Sequence, residues 1–422
     1  MKTSRTWIVL LVAFGMSSGA GALEIDGTSS GGTTWSPGET VFAGAGSLAL
    51  TQRFGQDALL ALRGSLSYDS SGALAYGVDR AEYDQTLAVG DSSIVSFRAG
   101  RGAVSDTTGL VAPLAADGFA VSYRAPGFGV DLSARTFALL SPERALLLTA
   151  TDLFEASAEE TLFGPARVLG SLALVFPERL GRTNLAVEYL TQFDGRAVAN
   201  PAIGEDTLRA DYLSAVFSAP VTNSLFATAS LTGSRAVYEV VGSGSISTYS
   251  WLVRAEARGY LRSPNAPTGT LRVLYASGRD QPALLPDPTT SEGSGFVPGP
   301  FAVPWTLAPV PLANVIAVAA EATALPFGAS GLWWLDDTVL RASVTALAKP
   351  APGAFGVGGL NDQAATGIYG YEMEITAVVE PFRDLDFRVE GAIFLPDRSA
   401  IRVLQTRVER TWRIGIATSL AW

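Results

Sequence analysis

Between Trp251 and Arg262, the residues Arg254, Glu256, Arg258, Tyr260 and Arg262 alternate with Trp251, Val253, Ala255, Ala257, Gly259 and Leu261. Charged groups recurring at every second residue share one face of a β-strand, and the apolar set takes the other. The chemistry open to that charged face is electrostatic: a guanidinium fork holds a carboxylate or draws in an anion, and a carboxylate accepts in return. Covalent and acid–base chemistry finds little support, because the 422 residues include no His and no Cys. Those absences exclude Ser-His-Asp triads, thiol nucleophiles and His- or Cys-ligated zinc on residue type alone. Carboxylate pairs or Lys could still catalyse, but no motif calls for them. Gly242-Ser243-Gly244 and Gly356-Val357-Gly358-Gly359 neither open a helix nor precede a Lys, so no phosphate-binding loop is expected. Neither a cofactor, a metal nor an enzymatic activity is expected.

The same alternation recurs along the chain. Leu60, Leu62, Gly64, Leu66 and Tyr68 oppose Arg63; Val95, Phe97 and Ala99 oppose Arg98; Leu271, Val273 and Tyr275 oppose Arg272. Further on, Leu340, Val344 and Ala346 oppose Arg341; Tyr371, Met373 and Ile375 oppose Glu372 and Glu374; and Phe387, Val389, Gly391 and Ile393 oppose Arg388 and Glu390. Mean hydropathy is high at +0.26, with 48% apolar residues. Yet beyond the N-terminus no apolar run reaches the 18 or so residues of a spanning helix; the best, Leu312 to Ala320, is followed by Glu321. High hydropathy without helical spans is what strands with one lipid-facing side produce, and their charges must face water inside a closed cylinder. Candidate strands at spacings of about 20 residues predict an all-β fold, a transmembrane antiparallel barrel of about 16–18 strands.

At the N-terminus Lys2 and Arg5 precede an apolar run from Trp7 to Met16 and then Ala20-Gly21-Ala22, which reads as a signal peptide over residues 1–22. The barrel is expected over residues 23–422. Removing Lys2 and Arg5 takes the formal charge from −10 to −12, which argues against nucleic acid as a partner. Lys349 is then the sole Lys, so nearly all positive charge is arginine.

At the C-terminus Trp412, Ile414, Ile416, Thr418, Leu420 and Trp422 share a face, with Arg413, Gly415, Ala417, Ser419 and Ala421 on the other. A final strand with an apolar outer face and an aromatic last residue resembles the C-terminal signal of bacterial outer-membrane β-barrels. That resemblance implies that Trp412, Ile414, Ile416, Leu420 and Trp422 are read by the barrel-assembly machinery, and that the last strand ends in the periplasm. The stretch from Ser96 to Tyr123 resembles large outer-membrane porins, in which a strand ending in Gly-Arg leads through an external loop to Asp-Gly opening the next. The matching residues are Gly100, Arg101, Asp117 and Gly118. Membrane lipid, small polar solutes and a second copy of the chain are the partners this implies.

Arg63, Arg98, Arg254, Glu256, Arg258, Arg272, Arg341, Glu372, Glu374, Arg388, Glu390 and Arg413 are the pore-lining candidates. They either set a field across the lumen or pair along the wall and fill it. Short connections such as Gly90-Asp91-Ser92 and Arg383-Asp384 are expected on the periplasmic side, long ones such as Gly102 to Asp117 outside. The Pro-rich segment from Arg279 to Pro311 is expected to be a semi-rigid loop outside any ladder. A passive or weakly selective channel for small polar solutes is the expected function. A closed-lumen surface or structural barrel and a transporter of apolar molecules are the alternatives.

Overall fold

A computed structural model describes residues 23–36, 38–70, 74–110, 114–136, 167–178, 182–194, 206–240, 244–263, 265–278, 302–304, 309–311, 314–328, 330–332, 335–351, 367–396 and 411–422. The expected signal peptide lies outside them, as do nearly all of the long loops between β7 and β8, β9 and β10, β13 and β16, and β17 and β18, numbered below.

Twenty strands follow in order: β1 (Leu23–Ser36), β2 (Glu39–Phe54), β3 (Ala58–Asp69), β4 (Leu74–Val89), β5 (Ser93–Val104), β6 (Leu114–Ala125) and β7 (Phe128–Thr136) come first. Next are β8 (Arg167–Phe176), β9 (Asn184–Asp194), β10 (Asp206–Pro220), β11 (Leu225–Val240), β12 (Gly244–Tyr260) and β13 (Thr268–Ala276). The chain continues through β14 (Ala302–Pro304), β15 (Pro309–Pro311), β16 (Val315–Ala324), β17 (Val339–Lys349), β18 (Gly367–Phe382), β19 (Leu385–Pro396) and β20 (Thr411–Ala421). Eighteen of them form one antiparallel sheet in which every strand pairs with its neighbours, β13 with β16, and β1 closes on β20. The strand number falls at the top of the expected range. β14 and β15 pair only with each other, so the proline-rich segment does hold a short ladder, built around Val303 opposite Val310, which both retain a backbone donor.

Closure follows from the faces. Along β20 the outward Trp412, Ile414, Ile416 and Leu420 are exposed, whereas the inward Gly415 is buried. Leu213 is 59% exposed and Trp251 55%, while their strand neighbours Tyr212 and Leu252 are each 1% exposed. A soluble sheet would bury its apolar face; here the apolar face is the convex one, and inward hydroxyls bond across the ladders, as in Ser214–Thr232 (2.9 Å) and Ser234–Ser250 (2.6 Å). The Gly/Ser/Thr-rich N-terminus is a full wall strand running to Ser36. The connection from Leu325 to Thr338 departs from the expected alternation, being longer than the other turns on its side.

The seam is tied by Thr28 to Trp35 of β1 against Ala421 to Ile414 of β20, and by reciprocal backbone bonds between Gly27 and Trp422 of 2.7 and 2.9 Å. Close approach at the seam requires glycine at Gly32, where a Cβ would lie 2.7 Å from the Ile416 carbonyl oxygen; at the adjacent Gly31 the nearest atom would be 3.9 Å away. Gly32→Val is therefore expected to destabilise the barrel by about 1–3 kcal/mol, in line with overpacking elsewhere. Gly31→Val, which adds a β-branched residue in open space, is expected to be neutral or mildly stabilising. Urea titrations of the heat-modifiable folded form compare the two.

Candidate functional site

The alternation of β12 and β13 brings Arg254, Glu256, Arg258 and Arg272 to one patch of the inner wall. Glu256 accepts from Arg254 (2.8 Å), Arg272 (3.0 Å) and Arg258 (3.2 Å). Three guanidiniums meet one carboxylate, so the patch carries excess positive charge facing lumen water. Further round the wall Glu390 receives Arg388 and Arg413, both at 3.1 Å, and Glu321 receives Arg341 at 2.9 Å. Arg63 donates to Ser47 Oγ at 3.2 Å, Arg98 stands 3.8 Å from Asp84, and Glu372 is buried with Glu374 two residues along the same inner face. The twelve residues singled out by alternation thus share the inner face but form separate patches, and many pair along the wall.

A second basic patch lies on β4 to β7. Arg80 pairs with Glu82 at 3.1 Å, Arg135 reaches Glu82 at 3.9 Å and the Gly100 carbonyl at 3.3 Å, and Arg101 pairs with Asp117 at 3.0 Å. Strict alternation from Arg98 would point Arg101 outward. Arg101 is nevertheless buried and its partner Asp117 half-buried. Beside this pair Gly100 and Gly118 stand opposite each other in the register, with φ of +115° and +155°. A Cβ on either would lie 2.1 Å from a carbonyl oxygen of the next strand, Ala81 or Ala134. Only glycine admits so close an approach of the neighbouring backbone.

The connection after β5 is one of the long ones expected on the external side. Its residues 105–110 fold into the lumen, with Asp106, Thr108 and Leu110 buried. The turn is self-capped: Thr108 donates through N (2.9 Å) and Oγ1 to the Asp106 carboxylate, and Gly109 N donates to Asp106 O at 3.0 Å. It reaches two far walls, because Thr107 N donates to Glu188 of β9 at 2.5 Å and Arg254 of β12 donates to Thr108 O at 3.5 Å. Both anchors stand in the middle of their strands, so the loop dips well below the barrel rim. Sequence reasoning missed Glu188 because its partner lies 81 residues away. The one usable signal was a lone carboxylate within an apolar stretch, Leu185 to Leu190.

An eighteen-stranded barrel with an apolar exterior, basic interior patches and an inward loop has the architecture of a membrane-spanning β-barrel. No protein-family model matches the chain, and no curated protein matches it. Among solved structures, the chain is similar to OpdQ of Pseudomonas aeruginosa, with a TM-score of 0.55, 9% identity and 96% and 99% of the two chains covered. It is similar to the outer membrane protein OprD of the same organism, with a TM-score of 0.53, 12% identity and coverages of 95% and 94%. It is similar too to OccK2 (OpdF) of that organism, solved with glucuronate, with a TM-score of 0.54, 12% identity and coverages of 94% and 97%. The chain shares their fold.

Gly100→Ala and Gly118→Ala are each expected to lower stability by at least about 1–3 kcal/mol, the cost of a side chain forced into a sparsely allowed conformation. Gly90→Ala also enters left-handed backbone, at φ +64°, but has no atom within 4 Å of the Cβ position, so it is expected to cost less than the two clashing sites. Denaturant midpoints of the three refolded variants test the ranking.

Proposed function

We propose that the chain is a bacterial outer-membrane channel through which small polar solutes diffuse, with a preference for anions. The observation that carries this reading is the loop at residues 105–110, which crosses a charged lumen to Glu188 and Arg254 and narrows it. Solute passing the loop meets the Arg254–Arg258–Arg272 patch, where three cations face one carboxylate. Fixed charges of one sign in a low-dielectric cylinder raise the local concentration of the opposite ion. The glucuronate in the OccK2 (OpdF) structure is a small anion. In this reading the twelve inner-face residues named from alternation line the path, together with Arg80, Glu82 and Arg135. The outer face of β20 and its terminal Trp422 serve as the mark read by the assembly machinery, after removal of residues 1–22.

Planar-bilayer recording tests it. Discrete conductance steps are expected from the purified folded protein, with reversal potentials in a salt gradient that favour anions. Arg258→Gln is expected to move the reversal potential towards cations, and Glu188→Ala, which frees Thr107 N, to raise mean conductance and current noise. Folded protein giving no steps, and no swelling of liposomes in sugar solutions, would return the chain to a closed surface barrel. Release of labelled fatty acid in place of sugar would make it a transporter of apolar molecules.

A further inference from the structure

Four outward-facing residues lie side by side in the register of β9 to β12: Thr191 opposite Asp211, Asp211 opposite Arg235, and Arg235 opposite Tyr249. Their strand neighbours Leu190, Gln192, Tyr212, Ser234, Thr248 and Ser250 are buried on the inside, which puts this row on the outer wall. Charges there demand a reason, since the outer face below them is apolar. From the lower end of β11 the outward positions Leu225, Ala227, Ala229, Leu231 and Gly233 carry no charge, and Arg235 is the first that does. On β10 the outward Ala219, Phe217, Ala215 and Leu213 give way likewise to Asp211 and Arg209. About ten residues of tilted strand cross the hydrocarbon layer, so the row stands where hydrocarbon meets headgroups on the loop side.

The row is not electrically closed. Asp211 is engaged away from Arg235, accepting from Tyr189 OH and Thr191 Oγ1 of β9 at 2.7 Å each and from Arg209 Nε of its own strand at 3.4 Å. Although Asp211 faces Arg235 in the ladder, the Arg235 guanidinium lies the other way, 6.0 Å from the Tyr249 ring centroid. No carboxylate among the described residues pairs with it. Tyr189 and Tyr249, both substantially exposed, flank the cations as interfacial aromatics do.

The geometry points to a binding site for the phosphate of an anionic lipid headgroup on this outer wall, with Arg235 as its principal cation, Arg209 as a second and Tyr249 as the floor. Arginine's fork matches two phosphate oxygens, and the aromatic face keeps the guanidinium in place when no lipid is bound. The occupant is a lipid of the loop-side leaflet, and the site is separate from the lumen. The inference rests on the membrane-spanning reading above, but not on solute passage.

Native mass spectrometry of the full barrel in neutral maltoside micelles, titrated with phosphatidylglycerol or phosphatidylcholine, tests it. Phosphatidylglycerol is expected to bind more tightly, Arg235→Gln to weaken it about fivefold, and Arg235→Lys to retain part of the affinity. Conductance is expected to stay unchanged in both variants, since neither side chain faces the pore. Equal binding of the two lipids, or undiminished phosphatidylglycerol binding by a folded Arg235→Gln barrel, overturns the proposal. So does a protein dimer that Arg235→Gln dissolves while lipid binding stays intact, because a second copy then owns the row. Lipid specificity without conductance steps would count against the channel and leave this site standing.

Discussion

In hydrocarbon no water is present to satisfy a stray backbone N–H or C=O, and every feature of this chain answers to that constraint. A sheet can cross only if its last strand pairs with its first. Here the closing pair is β1 with β20, completed by the two bonds between Gly27 and Trp422. Closure then sorts the side chains without further instruction. Odd and even positions of each strand fall on opposite walls, and the apolar set has to be the outer one.

What the inner wall does with its charge is a second consequence. Most of the arginines do not stand as isolated cations; Glu256, Glu390 and Glu321 each hold at least one of them. Pairing along the wall fixes the long side chains in place and leaves surplus positive charge where three arginines share Glu256. A protein with a formal charge of −10 can thus present a basic patch to its lumen. The inward loop uses the same wall chemistry, with Glu188 and Arg254 as the two hands that hold it.

Period-two alternation made most of this legible before any coordinates. Arg254, Glu256 and Arg258 could only share a face, and the apolar residues between them could only take the other. Three things stayed hidden, each because it depends on something other than period. The loop at residues 105–110 looks like any polar connection until distant Glu188 and Arg254 are placed beside it. Arg209, Asp211 and Arg235 defy the rule that strand charges face the lumen, because that rule holds only at hydrocarbon depth and these residues stand at its edge. The β14–β15 ladder inside a proline-rich segment formed because the central residues of its strands, Val303 and Val310, are not proline.

The central claim is the inversion of the two walls, and the absence of cysteine makes it directly measurable. Single cysteines placed in turn from Leu252 to Arg258 of β12, each carrying a nitroxide, report collision with oxygen, which concentrates in lipid, and with a water-soluble nickel chelate. The account predicts high oxygen accessibility at Val253, Ala255 and Ala257 and high nickel accessibility at Glu256 and Arg258, alternating residue by residue. A reversed phase along the strand, or nickel access equal at every position, would contradict it.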